Sequence, residues 1–183
     1  EFIATNKQKN IFAVASARTG IINNMGKISK IKMQGGAPTG ISIDSWKSEV
    51  LISNRIGIHR WCQNGKFIQS HLTRGSLRGL AVSPSGRYIC SALQEGDIYC
   101  WQPANNSEVM LAAEEHPYQD YKWSVDGCWF AVLSKSVVNL FENNYFGLNQ
   151  QPTFSFIISD GFYFKKISWS PIFNTICITD TIG

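Results

Sequence analysis

Residues 79–103 constrain the fold more than any other stretch of this chain. They read GLAVSPSGRYICSA (79–92), LQE, then GDIYCWQP (96–103). Leu80-Ala81-Val82 is a short apolar run that stops at Ser83-Pro84-Ser85-Gly86. There proline presets φ for a tight turn, and glycine lifts the φ restriction at its end. Tyr88-Ile89-Cys90 resumes in β-favouring residues, Gln94-Glu95-Gly96-Asp97 turns again, and Ile98-Tyr99-Cys100-Trp101 makes a third strand.

The unit recurs. Ser83 has counterparts at Ser124 (YKWSVDGCWFAVLS, 121–134) and Ser170 (ISWSPIFNTICITD, 167–180), with a poorer one near Asp44 (GISIDSWKSEVLISN, 40–54), at separations of 39, 41 and 46 residues. The aromatic that closes the third strand is more regular: Trp61 (IGIHRW), Trp101 (GDIYCW) and Phe141 (SVVNLF) stand 40 residues apart. A weaker copy opens the chain, with NIFAVASA (10–17) and TGIINNM (19–25) as successive strands. Four short strands in each period of about 40 to 45 residues, with an aromatic ending the third, is the pattern of propeller blades. The expected fold class is therefore all-β: a β-propeller of four-stranded antiparallel blades, incomplete in this chain. Blades are expected at about 1–33, 34–72, 73–113 and 114–159, followed by an incomplete blade at 160–183.

At these residues the chain resembles the WD-repeat β-propeller family over nearly its whole length. The dipeptide that names the family is missing, since Trp61 precedes Cys62, Trp101 precedes Gln102 and Phe141 precedes Glu142. No Gly-His pair precedes a first strand; His71 and His116 lie near the expected places at irregular distances. The family's aspartate between second and third strands is replaced by Asn54-Arg55, Gln94-Glu95 and Ser134-Lys135. The resemblance thus implies degenerate repeats without the histidine–aspartate network, held mainly by packing. A narrower resemblance, to nuclear-pore members of the family, runs through FAVA (12–15), SWKSEVLIS (45–53), SPSGRYICSA (83–92) and WSVDGCWFAVLS (123–134). It implies a nuclear-envelope location and docking to other pore components; otherwise the resemblance fits an intracellular protein of cytoplasm or nucleus.

A hydrophobic content of 44% over 183 residues is enough for a sizeable core, and 16% charge is low for a soluble domain. No apolar stretch is long enough for a membrane-spanning helix, so no membrane span is expected. The chain opens at Glu1 without a signal-like segment. Thr179-Asp180-Thr181-Ile182-Gly183 falls where a second strand should give way to a third. We therefore expect the N-terminal half of a larger propeller, or one completed in trans, with the remainder of the propeller among its partners. Five cysteines show no Cys-x-x-Cys spacing. Cys90 and Cys100 are equidistant from Glu95, which allows a cross-strand disulfide. The reading favours two reduced, buried side chains, because nothing indicates secretion. Neither metal nor cofactor is expected.

Residues 1–33 carry Lys7, Lys9, Arg18, Lys27, Lys30 and Lys32 against Glu1, a local balance of +5, while the rest of the chain carries −1. Lys27, Lys30 and Lys32 form a candidate basic patch. The reading favours a solvated edge strand whose lysines discourage edge pairing; the alternative is a docking face for an acidic protein, nucleic acid or anionic lipid. Ile31 and Met33 alternate with Lys30 and Lys32, and Ile28 falls out of phase. Gly35-Gly36-Ala37-Pro38-Thr39-Gly40 lacks the lysine and hydroxyl residue of a phosphate loop, because Ile41 follows it. Asn105-Asn106-Ser107 fits a glycosylation acceptor but reads as a turn. Candidate partner contacts are Trp46, in a hairpin turn or folded over its blade; Arg74 and Arg78, in a rim link; and Phe162, Tyr163, Phe164, Lys165 and Lys166. The last group is either an exposed rim patch or core beneath a capping loop.

No grouping of serine, histidine and carboxylate stands at a recognisable catalytic motif, so an enzyme is not expected. The expected function is a non-catalytic protein–protein interaction scaffold that joins other subunits of a larger assembly. The alternative is a propeller that binds nucleic acid or an anionic surface through its basic first blade; nucleic acid is not the expected partner.

Overall fold

The computed structural model describes residues 2–6, 9–17, 19–33, 35–73, 75–94, 96–111, 118–157 and 164–180, with the side chains of Phe164 and Asp180 also outside the description. Among the described residues every regular element is a strand, and no helix is long and apolar enough to cross a membrane. The chain divides into two compact units, Glu1–Gln94 and Glu95–Gly183.

The first unit begins with a four-stranded antiparallel sheet, β1 (Phe2–Asn6), β2 (Ile11–Ser16), β3 (Thr19–Asn24) and β4 (Lys27–Lys32), whose spatial order is the chain order. A second sheet repeats the plan with β5 (Pro38–Asp44), β6 (Glu49–Asn54), β7 (Gly57–Cys62) and β8 (Phe67–Leu72). The hairpin β9 (Leu77–Val82) and β10 (Ile89–Leu93) follows. The first strands lie side by side: β1 packs on β5, and β5 on β9. Ile31 and Met33 are buried at 5% and 3% exposure, whereas Ile28 is 63% exposed, as the alternation along β4 predicts. They join Ile11, Ala13, Ala15 and Ile22 of the first sheet against Ile43, Val50, Ile52 and Trp61 of the second.

One close backbone approach fixes β5 against β9, and two serine hydrogen bonds support it. Gly40 faces the Gly79 backbone so tightly that a Cβ on Gly40 would stand 2.5 Å from the Gly79 carbonyl carbon. Gly79 adopts φ +70°, next to the register shift opposite Cys90 and Ala92. Its carbonyl accepts hydrogen bonds from two buried serines, Ser53 at 3.0 Å and Ser91 at 2.8 Å.

The repeated turns close alike. Ser83 Oγ accepts the Tyr88 N–H at 2.9 Å, and Ser124 Oγ accepts the Trp129 N–H at 2.9 Å. The Gly86 and Gly127 N–H groups donate to the carbonyls of Ser83 and Ser124, with φ at +67° and +74°. The weaker copy at Asp44 uses a carboxylate instead, which accepts the Trp46 and Lys47 N–H groups.

The second unit holds the hairpin β11 (Ile98–Gln102) and β12 (Ser107–Leu111). It also holds a sheet of β13 (Asp120–Trp123), β14 (Trp129–Leu133) and β15 (Val137–Asn144). Strand β15 pairs near its end with the two-residue β16 (Gly147–Leu148), and along its length with the outer strand β17 (Phe154–Ile157). A further hairpin, β18 (Phe164–Trp169) and β19 (Ile176–Asp180), packs by β18 on β13. Ala131, Leu133, Val138 and Ile167 form the core between them. Trp61, Trp101 and Phe141 are buried at 3%, 0% and 0% exposure, in β7, β11 and β15. Cys62, Cys128 and Cys177 are free thiols. Cys90 and Cys100 are each disulfide-bonded and fully buried, which corrects the expectation of two reduced side chains.

Candidate partner-docking surfaces

Trp46 stands 75% exposed on the β5–β6 turn, and its carbonyl accepts the Lys9 ammonium at 3.0 Å. Lys27, Lys30 and Lys32 are exposed on β4, the edge strand of the first sheet. Strand alternation divides the patch, with Lys30 and Lys32 on one face and Lys27 in phase with Ile31 on the other. Arg78 is exposed at β9, and Lys165 and Lys166 are exposed on β18. Arg74, Phe162 and Tyr163 lie outside the described residues, as does the Phe164 side chain.

In the first unit a cavity of about 290 Å³ is lined by Lys32, His59, Trp61, Phe67 and Ser70. His59 and Ser70 face each other across β7 and β8, and His59 Nδ1 is 2.6 Å from Ser70 Oγ. Trp61 packs edge-on against Phe67 at 5.8 Å between ring centroids. Burial lowers the His59 pKa from its ordinary 6.5, so the imidazole is held neutral. Its Nε2 is shielded and makes no hydrogen bond. The pair ties β7 to β8 across the cavity wall. The opposite face of β7 carries Arg60, whose guanidinium binds the Glu49 carboxylate.

In the second unit an apolar groove of about 370 Å³ is lined by Trp129, Leu140, Phe154, Phe156, Trp169, Asn174 and Ile176. Phe154 lies 5.7 Å from the Trp129 ring and stacks on Phe156 at 6.4 Å, yet both phenylalanines remain more than half exposed. Every residue of β17 is exposed. Beside it, among the described residues, β18 and β19 form a two-stranded sheet. Sequence reasoning did not single out Phe154 and Phe156 as candidate contacts. The signal was available in the Phe154-Ser155-Phe156 alternation, which puts two rings on one face.

Among the described residues no group of three or more histidine, cysteine or carboxylate side chains could hold a metal ion. No protein-family model matches the chain, and no curated protein matches it. Solved structures do. A chain in a crystal structure of the mitotic checkpoint complex superposes with a TM-score of 0.81 at 14% identity, covering 98% of this chain and 56% of that one. The β-propeller domain of Cps50 (Swd1) from Myceliophteria thermophila superposes with a TM-score of 0.77 at 14% identity, covering 98% and 62%. This chain thus spans about three fifths of the length of those structures. Identity this low speaks to architecture alone, and the architecture is that of a β-propeller with four-stranded antiparallel blades.

Proposed function

We propose that the chain is a non-catalytic protein-interaction scaffold. The observation that carries this reading is the apolar groove between β15–β17 and β18–β19, where aromatic side chains lie open beside a two-stranded sheet. An exposed apolar surface of this kind marks a protein contact. The occupant is a pair of strands that extends the β18–β19 sheet, supplied in cis by the remainder of the propeller or in trans by another subunit. That the first structural neighbour was solved within a complex supports a subunit role by analogy.

The test compares full-length protein with its Phe154→Asp/Phe156→Asp variant by thermal melting and by quantitative affinity purification at moderate salt. A filler in cis predicts a lower melting temperature, and a filler in trans predicts loss of a stoichiometric protein with little change in melting. If the variant changes neither, the scaffold reading by this groove is overturned.

The finer proposal is a nuclear-pore subunit at the nuclear envelope, supported by the resemblance of the 12–15, 45–53, 83–92 and 123–134 segments to the nuclear-pore protein aladin. Those are positions the fold itself requires, so the decisive experiment is imaging of the tagged full-length protein: a nuclear rim supports the proposal, and diffuse signal overturns it. Binding of nucleic acid or an anionic surface through the first blade is supported by the exposed Lys27, Lys30 and Lys32, and weakened by their division between two faces. It predicts binding that falls steeply as salt rises.

A further inference from the structure

One end of the second unit gathers three turns with unusual chemistry. The β15–β16 hairpin closes through Tyr145 and Phe146, which are 92% and 93% exposed. The two rings meet edge to face at 5.7 Å, and Asn144 Oδ1 accepts the Phe146 N–H at 3.0 Å, holding the tip in shape. The β18–β19 turn presents Ile172 and Phe173 at 80% and 70% exposure, on a loop whose N–H groups donate to Ser170 Oγ. The β13–β14 turn presents Val125 at 58%. In an antiparallel sheet the first and third of its turns lie at the same end, so the β13–β14 and β15–β16 turns are neighbours. The third turn is tied to them, because Asn174 Nδ2 donates to Asp126 Oδ2 at 2.9 Å.

The patch is also charged with one sign. The segments 123–130, 142–149 and 169–176 contain Asp126 and Glu142 and no lysine, arginine or histidine. Both carboxylates bear on one spot: burial and the charges of Asp126 and Glu142 push the Cys128 thiol up. Asp126 stays ionised, since hydrogen bonds from Ser124, Cys128 and Asn174 outweigh its burial and hold its pKa below the usual value. Turn tips in a soluble protein are ordinarily small or polar. Here five large apolar side chains surround two negative charges.

We propose that this end of the second unit docks a basic, apolar segment of a partner protein, with apolar side chains laid against Tyr145, Phe146, Ile172 and Phe173, and arginine or lysine drawn to Asp126 and Glu142. Arginine fits the chemistry best, since its guanidinium stacks on aromatic faces and pairs with carboxylates. An anionic lipid surface is repelled by the same two carboxylates. The inference rests on the scaffold reading and adjoins the groove at Asn174, but its docking side chains, Tyr145, Phe146, Ile172 and Phe173, are not among the groove-lining residues, so each can fail alone.

The experiment measures fluorescence anisotropy of a short labelled peptide of alternating arginine and leucine or phenylalanine against the intact protein. A matched peptide with glutamate for arginine, and phosphatidylserine vesicles, serve as comparisons. The arginine peptide is expected to bind and the other two are not. Tyr145→Ser/Phe146→Ser, made where the rings touch little else, is expected to weaken binding roughly tenfold or more, the scale of an interface hot spot. Glu142→Gln is expected to weaken it at low salt and flatten its salt dependence. Equal binding of wild type and the double variant overturns the proposal, as does preference for the glutamate peptide or the vesicles. Self-association of the chain that the double variant abolishes overturns it too, by making a second copy the occupant.

Discussion

Replacing Gly40 with alanine tests whether the inner strands of successive sheets are held by direct backbone contact. The new Cβ would lie 2.5 Å from the Gly79 carbonyl carbon, 2.7 Å from its Cα and 2.8 Å from the Leu80 nitrogen. Ordinary contact begins near 3.4 Å, so β5 and β9 must part by 0.9 Å. No rotamer change relieves this, because every atom met is backbone. The same separation stretches the 3.0 Å hydrogen bond from Ser53 Oγ to the Gly79 carbonyl beyond useful range. Overpacking in a tight core costs about 1–3 kcal/mol, and losing the buried hydrogen bond adds about 1 kcal/mol, so about 3 kcal/mol is a fair central value. For a chain of this size that corresponds to roughly 6–12 °C in melting temperature. Urea unfolding followed by tryptophan fluorescence is the direct assay. Gly75→Ala is the matched control, because its Cβ would meet only the flexible Leu93 side chain at 3.3 Å. If Gly40→Ala and Gly75→Ala unfold at the same denaturant concentration, the β5–β9 contact does not hold the sheets and the reasoning fails.

Arg60→Ala is expected to cost about 3 kcal/mol in urea unfolding, because it strands the Glu49 carboxylate at 15% exposure; Arg60→Met combined with Glu49→Leu should recover most of that loss. His59 is held neutral by burial, so the unfolded chain takes up the proton more readily below pH 6.5. Its contribution is therefore fully present above pH 6.5 and is lost as pH falls toward the lower folded pKa; His59→Gln should reduce the fall in urea midpoint across that range. Phe154→Ser/Phe156→Ser in residues 1–183 should lower the fluorescence of a hydrophobic dye bound to the chain, since both rings are more than half exposed in the groove.

The strand order was legible because each repeat states it locally. Ser83 and Ser124 are turn residues in sequence and turn caps in space, and the 40-residue spacing of Trp61, Trp101 and Phe141 marks three buried aromatics. Phase along β4 separated buried Ile31 and Met33 from exposed Ile28 for the same reason: a strand's two faces are set by counting residues. Contacts between sheets were not legible. Nothing in the sequence couples Gly40 to Gly79, because the approach depends on how two sheets twist past each other. The exposed apolar turn tips were missed for a related reason. Tyr145 and Phe146 sit in an Asn-Asn-Tyr-Phe-Gly loop, and Ile172 and Phe173 in a Ser-Pro-Ile-Phe-Asn turn, and sequence alone does not say whether a loop's apolar side chains fold inward or face water.

The burial gradient across each sheet sets the order in which the chain comes apart. Strands β6 and β14 are buried almost end to end, while β17 is solvent-facing throughout and β8 leaves Phe67 and Leu72 in water. Opening free energies follow buried apolar contact, so the outermost strands should exchange their amide protons well before the inner ones. Such a sheet can shed its last strand and take it back without disturbing the layers beneath. That makes the periphery the place where a protease first cuts, and where a strand from elsewhere could be traded in.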